Sequence, residues 1–177
     1  EAALTEADAE RYFVAYRDAI TRIGKAAGGD ADIFAAPSIS VKLSALHPRY
    51  AFTHYDRVMQ ELVPRVAELA VHARESGIAM TVDAEESERL EISLQVFERV
   101  YRDSALGDYE GLGLALQTYQ RRARSVLSFL TGMAGDVGRR IPVRLVKGAY
   151  WDTEIKHGQE LGLTSYPVFT RKAHTDV

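Results

Sequence analysis

The sequence predicts an α/β fold of the (β/α)8 TIM-type barrel class, of which these 177 residues supply an N-terminal helix and about the first four β/α units. Two observations predict it. A strand-like segment is followed by an amphipathic helical segment four times, with strand centres roughly 30–40 residues apart, the spacing of a barrel repeat. Each strand also has one bulky aliphatic face and one face of small or polar side chains, which suits a barrel interior.

A doubly wound sheet is the alternative fold. It would place long apolar side chains on both faces of its strands, whereas residues 38–44 and 78–83 alternate between apolar and polar or small side chains. Neither a dinucleotide-binding glycine motif nor a phosphate-binding loop follows the first strand. Both facts favour the barrel.

A helix is predicted before the first strand. The run Thr5-Glu6-Ala7-Asp8 has the pattern of a capping box, and Gly28-Gly29 marks the end of the helix. Apolar side chains recur between them at helical spacing: Tyr12, Tyr16, Ile20 and Ile23. We therefore assign residues 1–37 to an N-terminal helical segment that leads into the barrel, and residues 38–177 to the first half of the barrel.

Strands are predicted at residues 38–44, 78–83 and 112–117, and a fourth lies at 141–146. Their polar faces end in Lys42, Asp83, Gln117 and Arg144. Because the carboxyl ends of barrel strands open at one mouth, where barrel enzymes keep their sites, these four side chains are predicted to lie close together. Strand alternation places Lys147 on the opposite face from Arg144. Lys147 is therefore predicted to be structural or to support residues that contact the ligand.

Helices are predicted between and after the strands. They span residues 55–76, 87–103 and 120–133, and a fourth begins near Trp151. Pro64 is expected to kink or restart the first of them, because proline lacks the N–H that a helix interior uses.

The composition narrows the classes of function. A net charge of −3 gives no reason to expect nucleic-acid binding, and the run Arg121-Arg122-Ala123-Arg124 is predicted to be a solvated helix face. The absence of cysteine excludes disulfides and thiolate chemistry, and the five scattered histidines predict no metal centre. No apolar run has the length of a membrane span, and we expect no signal peptide, so a cytoplasmic location is predicted.

The sequence RLVKGAYWD at residues 144–152 has the features of a site entrance. Gly148 allows a backbone or ligand to approach closely. Tyr150 and Trp151 offer a flat apolar wall with polar tips, which suits a ring-shaped cofactor or substrate. A strand, a turn and two core aromatic residues are the alternative interpretation.

Five segments, in this order, resemble the proline dehydrogenase domain of bacterial proline utilization A. They are SVKLSALHPRY (40–50), DAEE (83–86), LQTY (116–119), RLVKGAYWD (144–152) and YPVFTRK (166–172). The resemblance implies an FAD-dependent (β/α)8 barrel that oxidises L-proline to 1-pyrroline-5-carboxylate, the first step of proline catabolism to glutamate, usually within a long bifunctional protein.

The resemblance also implies residue roles. Lys42 would pair with the substrate carboxylate, Asp83 would position the substrate near the flavin, and Tyr150 would lie beside the substrate. The residues that would contact the cofactor are Asp83, Gln117, Arg144, Val146, Gly148, Ala149, Trp151, Thr170, Lys172 and Thr175. A quinone as electron acceptor, a homo-oligomer and peripheral docking at the inner face of the bacterial membrane are further expectations.

The chemistry of hydride transfer agrees with these roles independently. A saturated carbon gives up hydride only to a flavin held face to face with it, with a cation near the part of the flavin that gains negative charge and a fixed anchor for the substrate acid. Lys42 and Arg144 can supply the two cations.

Two alternatives remain open. One is a Schiff-base lyase or aldolase on a barrel, with Lys42 or Lys147 as nucleophile. The other is an inactive half-domain, because the resembling family builds its barrel from eight strands and takes its main carboxylate-binding arginines from the eighth helix. Since this sequence supplies about four strands, we expect a fragment that holds half of the site.

Overall fold

The computed structural model describes residues 2–28 and 32–175. Its four strands are β1 (Ile39–Val41), β2 (Met80–Val82), β3 (Leu112–Gln117) and β4 (Val143–Val146). They form one sheet in the order β1-β2-β3-β4, and every neighbouring pair is parallel.

Six α-helices are described around this sheet. They are α1 (Glu6–Ala27), α2 (Leu43–Leu46), α3 (Tyr55–Glu75), α4 (Leu90–Tyr101), α5 (Ala123–Val137) and α6 (Trp151–Glu160). Short 3-10 turns cover Phe52–His54, Ser87–Arg89, Ser104–Leu106 and Lys172–Thr175. Within the described residues, no helix is both long and apolar enough to cross a membrane.

The sheet has two unlike faces, as predicted. The aliphatic face is buried in the main core with side chains from α3, α4 and α5; it consists of Val41, Met80, Val82, Leu112, Leu114 and Leu116. The strands follow one another in chain order, so right-handed crossovers place the connecting helices on that face. The fold is therefore α/β and consistent with part of a TIM-type barrel, and the opposite face corresponds to the barrel interior.

Helix α1 begins and ends where its sequence signals place it. The backbone N–H of Asp8 donates to Thr5 Oγ1 at 3.1 Å, and the Asp8 carboxylate accepts from the backbone N–H of Thr5, which completes the capping box. Gly28 ends the helix in the left-handed conformation. The buried stripe differs from the predicted one, because Phe13 rather than Tyr12 lies in the core beside Ile20.

Helix α1 runs along α3 in the same direction. Ion pairs join Glu6 to Arg57 at 3.2 Å and Glu10 to Arg65 at 3.4 Å. Helix α3 passes through Pro64 without a restart, so that part of the expectation is wrong. Pro64 lies on the exposed side of the helix, where water can replace the missing hydrogen bond.

The predicted first strand is too long. The strand pairing stops at Val41, and residues 43–46 form a helical turn instead. The backbone N–H of Ser44 donates to Glu85 Oε1 at 3.0 Å, so it has no need of a strand partner. The second strand is likewise shorter, at Met80–Val82, and the helix expected at 120–133 spans Ala123–Val137.

Gly24 of α1 approaches the end of α3 closely, because an added Cβ would lie 2.6 Å from the backbone oxygen of Ser76, the residue that caps α3. We expect Gly24→Ala to destabilise this packing by about 1–3 kcal/mol, because backbone cannot yield as a side chain can. The measurement is hydrogen exchange of the α1 and α3 amides.

Gly132→Ala is the matched control. Gly132 lies within α5 with nothing inside 4 Å of an added Cβ. Alanine has a higher helix propensity than glycine. The backbone amides of α5 should therefore exchange more slowly, by an amount that corresponds to about 0.5–1 kcal/mol of added stability. Equal stabilisation by both substitutions would contradict the close approach of α1 to α3.

Candidate functional site

The strand register brings three predicted site residues into one row. Val41 pairs with Val82, and Val82 pairs with Leu114. The next residues along the three chains, Lys42, Asp83 and Ala115, therefore stand side by side, and Ala115 pairs with Arg144. The row lies at the carboxyl end of β1 and β2, on the small and polar face.

The Arg144 side chain crosses the sheet along this row. Its guanidinium donates to Asp83 just beyond β2 and, at 2.8 Å, to Ser40 Oγ on β1. The Arg144 side chain is 49% exposed and that of Asp83 is 22% exposed, so water still reaches the pair. The intervening strand β3 presents only small side chains here, Gly113 and Ala115, which leaves room for the guanidinium to reach β2 and β1.

Gln117 closes β3 and is almost completely buried, at 2% exposure. Its Nε2 donates to the backbone oxygen of Glu85 at 2.6 Å. Its Oε1 is buried and has no hydrogen-bond partner among the described residues. A buried amide oxygen without a partner is costly, so this atom is a candidate ligand contact.

Glu85 is a buried carboxylate that ties three strand ends together. Its side chain is 6% exposed and accepts from the backbone N–H of Ser44 and, at 3.0 Å, from Arg89. Its backbone oxygen accepts from Gln117. These contacts fix the segment after β2, which also carries Asp83.

Tyr150 precedes α6 and faces the acidic side of the same region. Burial raises the pKa of its phenol, and the negative charges of Glu86, Glu85 and Asp83 raise it further. The phenol therefore stays protonated and able to donate a hydrogen bond well above neutral pH.

A cleft of about 350 Å³ lies beyond the end of β4. Tyr119, Lys147, Gly148, Trp151, Phe169, Thr170 and Thr175 line it. Its volume falls in the range of small-molecule sites. Three of these residues are aromatic, and the two threonines add polar groups to the lining.

The cleft is held by backbone contacts around Tyr119. The N–H of Tyr119 donates to the oxygen of Lys147 at 3.1 Å, and the oxygen of Tyr119 accepts from the N–H of Phe169 at 2.8 Å. Trp151 Nε1 donates to the oxygen of Phe169 at 2.8 Å. The chain after β4 and the chain before Thr170 are thereby fixed to the end of β3.

Gly148 lies against the ring of Tyr119 in a conformation that favours glycine. Its φ is 137°, and an added Cβ would lie 1.7 Å from Tyr119 Cδ1. The predicted close approach at Gly148 is thus present, although the neighbour is a tyrosine ring of the same chain.

The other predicted residues are placed as follows. Val146 pairs with Gln117, and its oxygen accepts from the N–H and the hydroxyl of Thr118. Ala149 is exposed between Gly148 and Tyr150. The side chain of Lys172 lies outside the described part of the chain. No group of three or more histidine and acidic side chains among the described residues could hold a metal ion.

Lys147 differs from its prediction. It lines the cleft, because the chain leaves β4 at Val146 and strand alternation no longer decides where the next side chain points. Within the described residues it also has an interaction partner.

A family model described as proline dehydrogenase matches residues 1–177. The chain belongs to the proline dehydrogenase family. Members of this family use a flavin cofactor.

Named relatives agree with this assignment. The bifunctional protein PutA of Escherichia coli K12 is 52% identical over 177 residues, which are 100% of this chain and 13% of that protein. The PutA of Salmonella typhimurium LT2 is 51% identical with the same coverage. The chain thus spans 13% of the length of these curated relatives.

Solved structures give the same result for the fold. A variant of Bradyrhizobium japonicum proline utilization A matches with 54% identity and a TM-score of 0.96, covering 99% of this chain and 18% of that chain. Proline utilization A from Bdellovibrio bacteriovorus, inactivated by N-propargylglycine, matches with 30% identity and a TM-score of 0.90, covering 99% and 19%. The expected partial barrel of the proline dehydrogenase family is confirmed.

The predicted set of site residues omits four residues that lie at the candidate site in the structure. Ser40, Glu85 and Tyr119 have the same alternation phase as Lys42, Asp83 and Gln117 on their own segments, so strand phase could have found them. Phe169 reaches the cleft through the folding of a loop onto Tyr119, and no local pattern signals that contact.

Gly148→Ala is expected to lower flavin content at least about tenfold, because the new methyl group would displace the Tyr119 ring that lines the cleft. The measurement is the flavin absorbance of the purified full-length polypeptide per mole of protein.

Gly162→Ala separates this clash from backbone strain. Gly162 also has a positive φ, 62°, but nothing lies within 4 Å of an added Cβ. The flavin content of Gly162→Ala should equal that of the wild type. Loss of flavin in both variants would show that strain alone explains the effect.

Proposed function

We propose that this chain supplies part of an FAD-dependent proline dehydrogenase site, which oxidises L-proline to 1-pyrroline-5-carboxylate by hydride transfer in the first step of proline catabolism to glutamate. One observation carries the proposal. Lys42, Asp83 and Arg144 stand in one row at the carboxyl end of adjacent strands. A cleft with an aromatic wall at Trp151 lies beside the end of β4.

The residues present fit a flavin. Gln117 offers a buried amide oxygen that no described residue satisfies, which suits an N–H of a planar heterocycle. Trp151 is 39% exposed with its Nε1 already engaged, so the indole face is available for stacking. Val146, Gly148 and Ala149 would contact the ring system through backbone.

The rest of FAD would extend along the cleft. Thr170 and Thr175 place hydroxyl groups at its wall, which suits the phosphate and adenosine portions. Lys172 would add a cation there. When bound, FAD supplies the acceptor for two electrons and a hydride.

The chain's own residues would orient the substrate and shape the field. Lys42 would anchor the proline carboxylate by charge, because an ammonium is a compact donor that needs no fixed fork geometry. Asp83 would hold the Arg144 guanidinium in place, as its contact with Arg144 already does. Tyr150, whose pKa is raised, would donate a hydrogen bond beside the substrate.

The Schiff-base lyase is the less favoured alternative, because the family match and the relatives point to a dehydrogenase. A nucleophilic lysine needs desolvation or a neighbouring cation to become reactive. Lys147 is exposed and therefore lacks the first.

Further features of the whole protein are proposed on the resemblance of the motifs and the names of the relatives. They are a bifunctional enzyme whose second activity converts the oxidised product to glutamate, a quinone as electron acceptor, and a homo-oligomer. A cytoplasmic location with peripheral docking at the inner membrane face completes the set. We also propose that residue 38 begins the barrel, with residues 1–37 as its N-terminal helical segment.

The proposal predicts that the purified full-length polypeptide is yellow, loses its visible absorbance with L-proline under anaerobic conditions, and forms pyrroline-5-carboxylate. Asp83→Ala should slow this reduction about 100-fold, because Arg144 loses the partner that fixes it. Stopped-flow absorbance measures both effects.

Asp108→Ala is the matched control. Asp108 is exposed in the loop before β3, at the opposite end of the strands. L-Proline should reduce the flavin of this variant at the wild-type rate. A colourless wild type would reject the flavin-dependent dehydrogenase and favour an inactive half-domain. A lysine adduct trapped by borohydride with a carbonyl substrate would support the lyase instead.

Arg144 is also expected to set the flavin potential. A guanidinium near the ring system favours the reduced, anionic form, so Arg144→Met should lower the two-electron potential by about 30 mV or more, the equivalent of about 1.4 kcal/mol. FAD should also be retained less well. Potentiometry measures the potential, and Arg124→Met, on the exposed face of α5, is the control. An unchanged potential with normal FAD retention would remove this role from Arg144.

A further inference from the structure

Two segments carry several residues of the proposed site. The loop after β2 holds Asp83 and continues to the 3-10 turn Ser87–Arg89. The chain after β4 holds Gly148, Tyr150 and Trp151 and leads directly into α6. The relative position of these two segments decides how Asp83 faces Tyr150 and Trp151.

The side chain of Glu154 joins these two segments. Glu154 lies in the first turn of α6 and is 5% exposed. Its Oε1 accepts from the backbone N–H of Ser87 at 2.6 Å, and its Oε2 accepts from Ser87 Oγ. Its own backbone N–H donates to the oxygen of Tyr150 at 2.9 Å. One residue is thus bonded to both segments.

The contact has the chemistry of a helix cap supplied from another element. Ser87 is the first residue of the turn Ser87–Arg89. The side chain of Glu86, which occupies the N-cap position, makes no capping hydrogen bond to this turn. A carboxylate at such an N-terminus accepts free N–H groups and complements their partial positive charge. Charge-assisted bonds of this kind are stronger than neutral ones.

Arg122 holds the same residue from the other side. Its Nη2 donates to the backbone oxygen of Ser87 at 2.6 Å, and its Nη1 donates to Glu91 at 3.0 Å. Ser87 is therefore fixed through its N–H, its hydroxyl and its carbonyl. Removing Glu154 would release two of these three groups.

The burial of Glu154 argues that the contact is specific. A carboxylate at 5% exposure is costly unless donors satisfy it, and Ser87 supplies both donors. Exposed acidic residues in the separate groove between Ser87 and α6, such as Glu88 and Glu160, show no comparable link between the two segments within the described part of the chain.

We infer that Glu154 is a positioning residue for proline oxidation, which acts through Ser87 to hold the loop that carries Asp83 in register with Tyr150 and Trp151. This inference rests on the proposed function for its effect on turnover. The link between the two segments is independent of that function and is measured separately.

The first test is hydrogen exchange of the full-length polypeptide. Glu154→Gln keeps the size of the side chain and removes its charge, and Ser87→Ala removes one donor. Each should speed exchange of the amides at 84–89 about tenfold, although Glu154 is 67 residues away in sequence. The double variant should exchange no faster than Glu154→Gln alone, because Glu154 accepts both of the bonds and the hydroxyl that Ser87→Ala removes donates one of them.

Glu160→Gln is the matched control. Glu160 is exposed at the end of α6, where it pairs with Lys156. It should leave exchange at 84–89 unchanged. Unaltered exchange at 84–89 in Glu154→Gln and Ser87→Ala, or effects that add in the double variant, would overturn the link.

The second test separates positioning from simple stabilisation. In samples with the FAD content of the wild type, Glu154→Gln should lower kcat for proline about tenfold. It should also weaken binding of a proline analogue in which oxygen replaces the ring nitrogen, and the change in flavin absorbance measures that binding. A lowered melting temperature with unchanged kcat and analogue binding would overturn the positioning role. If the wild type fails to oxidise proline, the proposed function is wrong, while the exchange result still decides whether Glu154 joins the two segments.

Discussion

The reach of Arg144 across the sheet is the constraint on which the rest of the site depends. A guanidinium on β4 can touch Asp83 and Ser40 only if nothing bulky stands between them. The sequence meets this requirement by placing Gly113 and Ala115 on the interior face of β3 and reserving leucine for the other face. One strand thus packs the core with one set of side chains and clears a path over the sheet with the other.

The loops around this cation are fixed by buried polar contacts rather than by apolar packing. Glu85 binds the chain after β1 and the end of β3, Glu154 binds Ser87, and Tyr119 binds the chain on both sides of the cleft. Each contact uses a backbone N–H or carbonyl that lies outside the strands and would otherwise need another partner. Polar side chains and loop backbone therefore supply the partners that strand pairing does not.

Much of this fold could be predicted from local patterns, and the failures have physical causes. Helix α1 and strand β3 were predictable because a capping box and a six-residue alternation are complete signals within the segment itself. The first strand was not, because Ser44 finds its partner in Glu85, which lies 41 residues later in the chain. Glu154 could not be found for the same reason, since an acidic residue in a first helical turn has an ordinary local explanation.

The acidic contacts of the site differ in how easily they can be exchanged. The Arg144 guanidinium is half exposed, and an ion pair of this kind contributes about 0–1 kcal/mol, so a new anion can compete for the guanidinium at little cost. Glu85 and Glu154 are about 5% exposed, and separating such carboxylates from their donors would leave charges buried without partners. The candidate site therefore combines buried carboxylates, which are held by their donors, with a half-exposed guanidinium that can exchange one anionic partner for another.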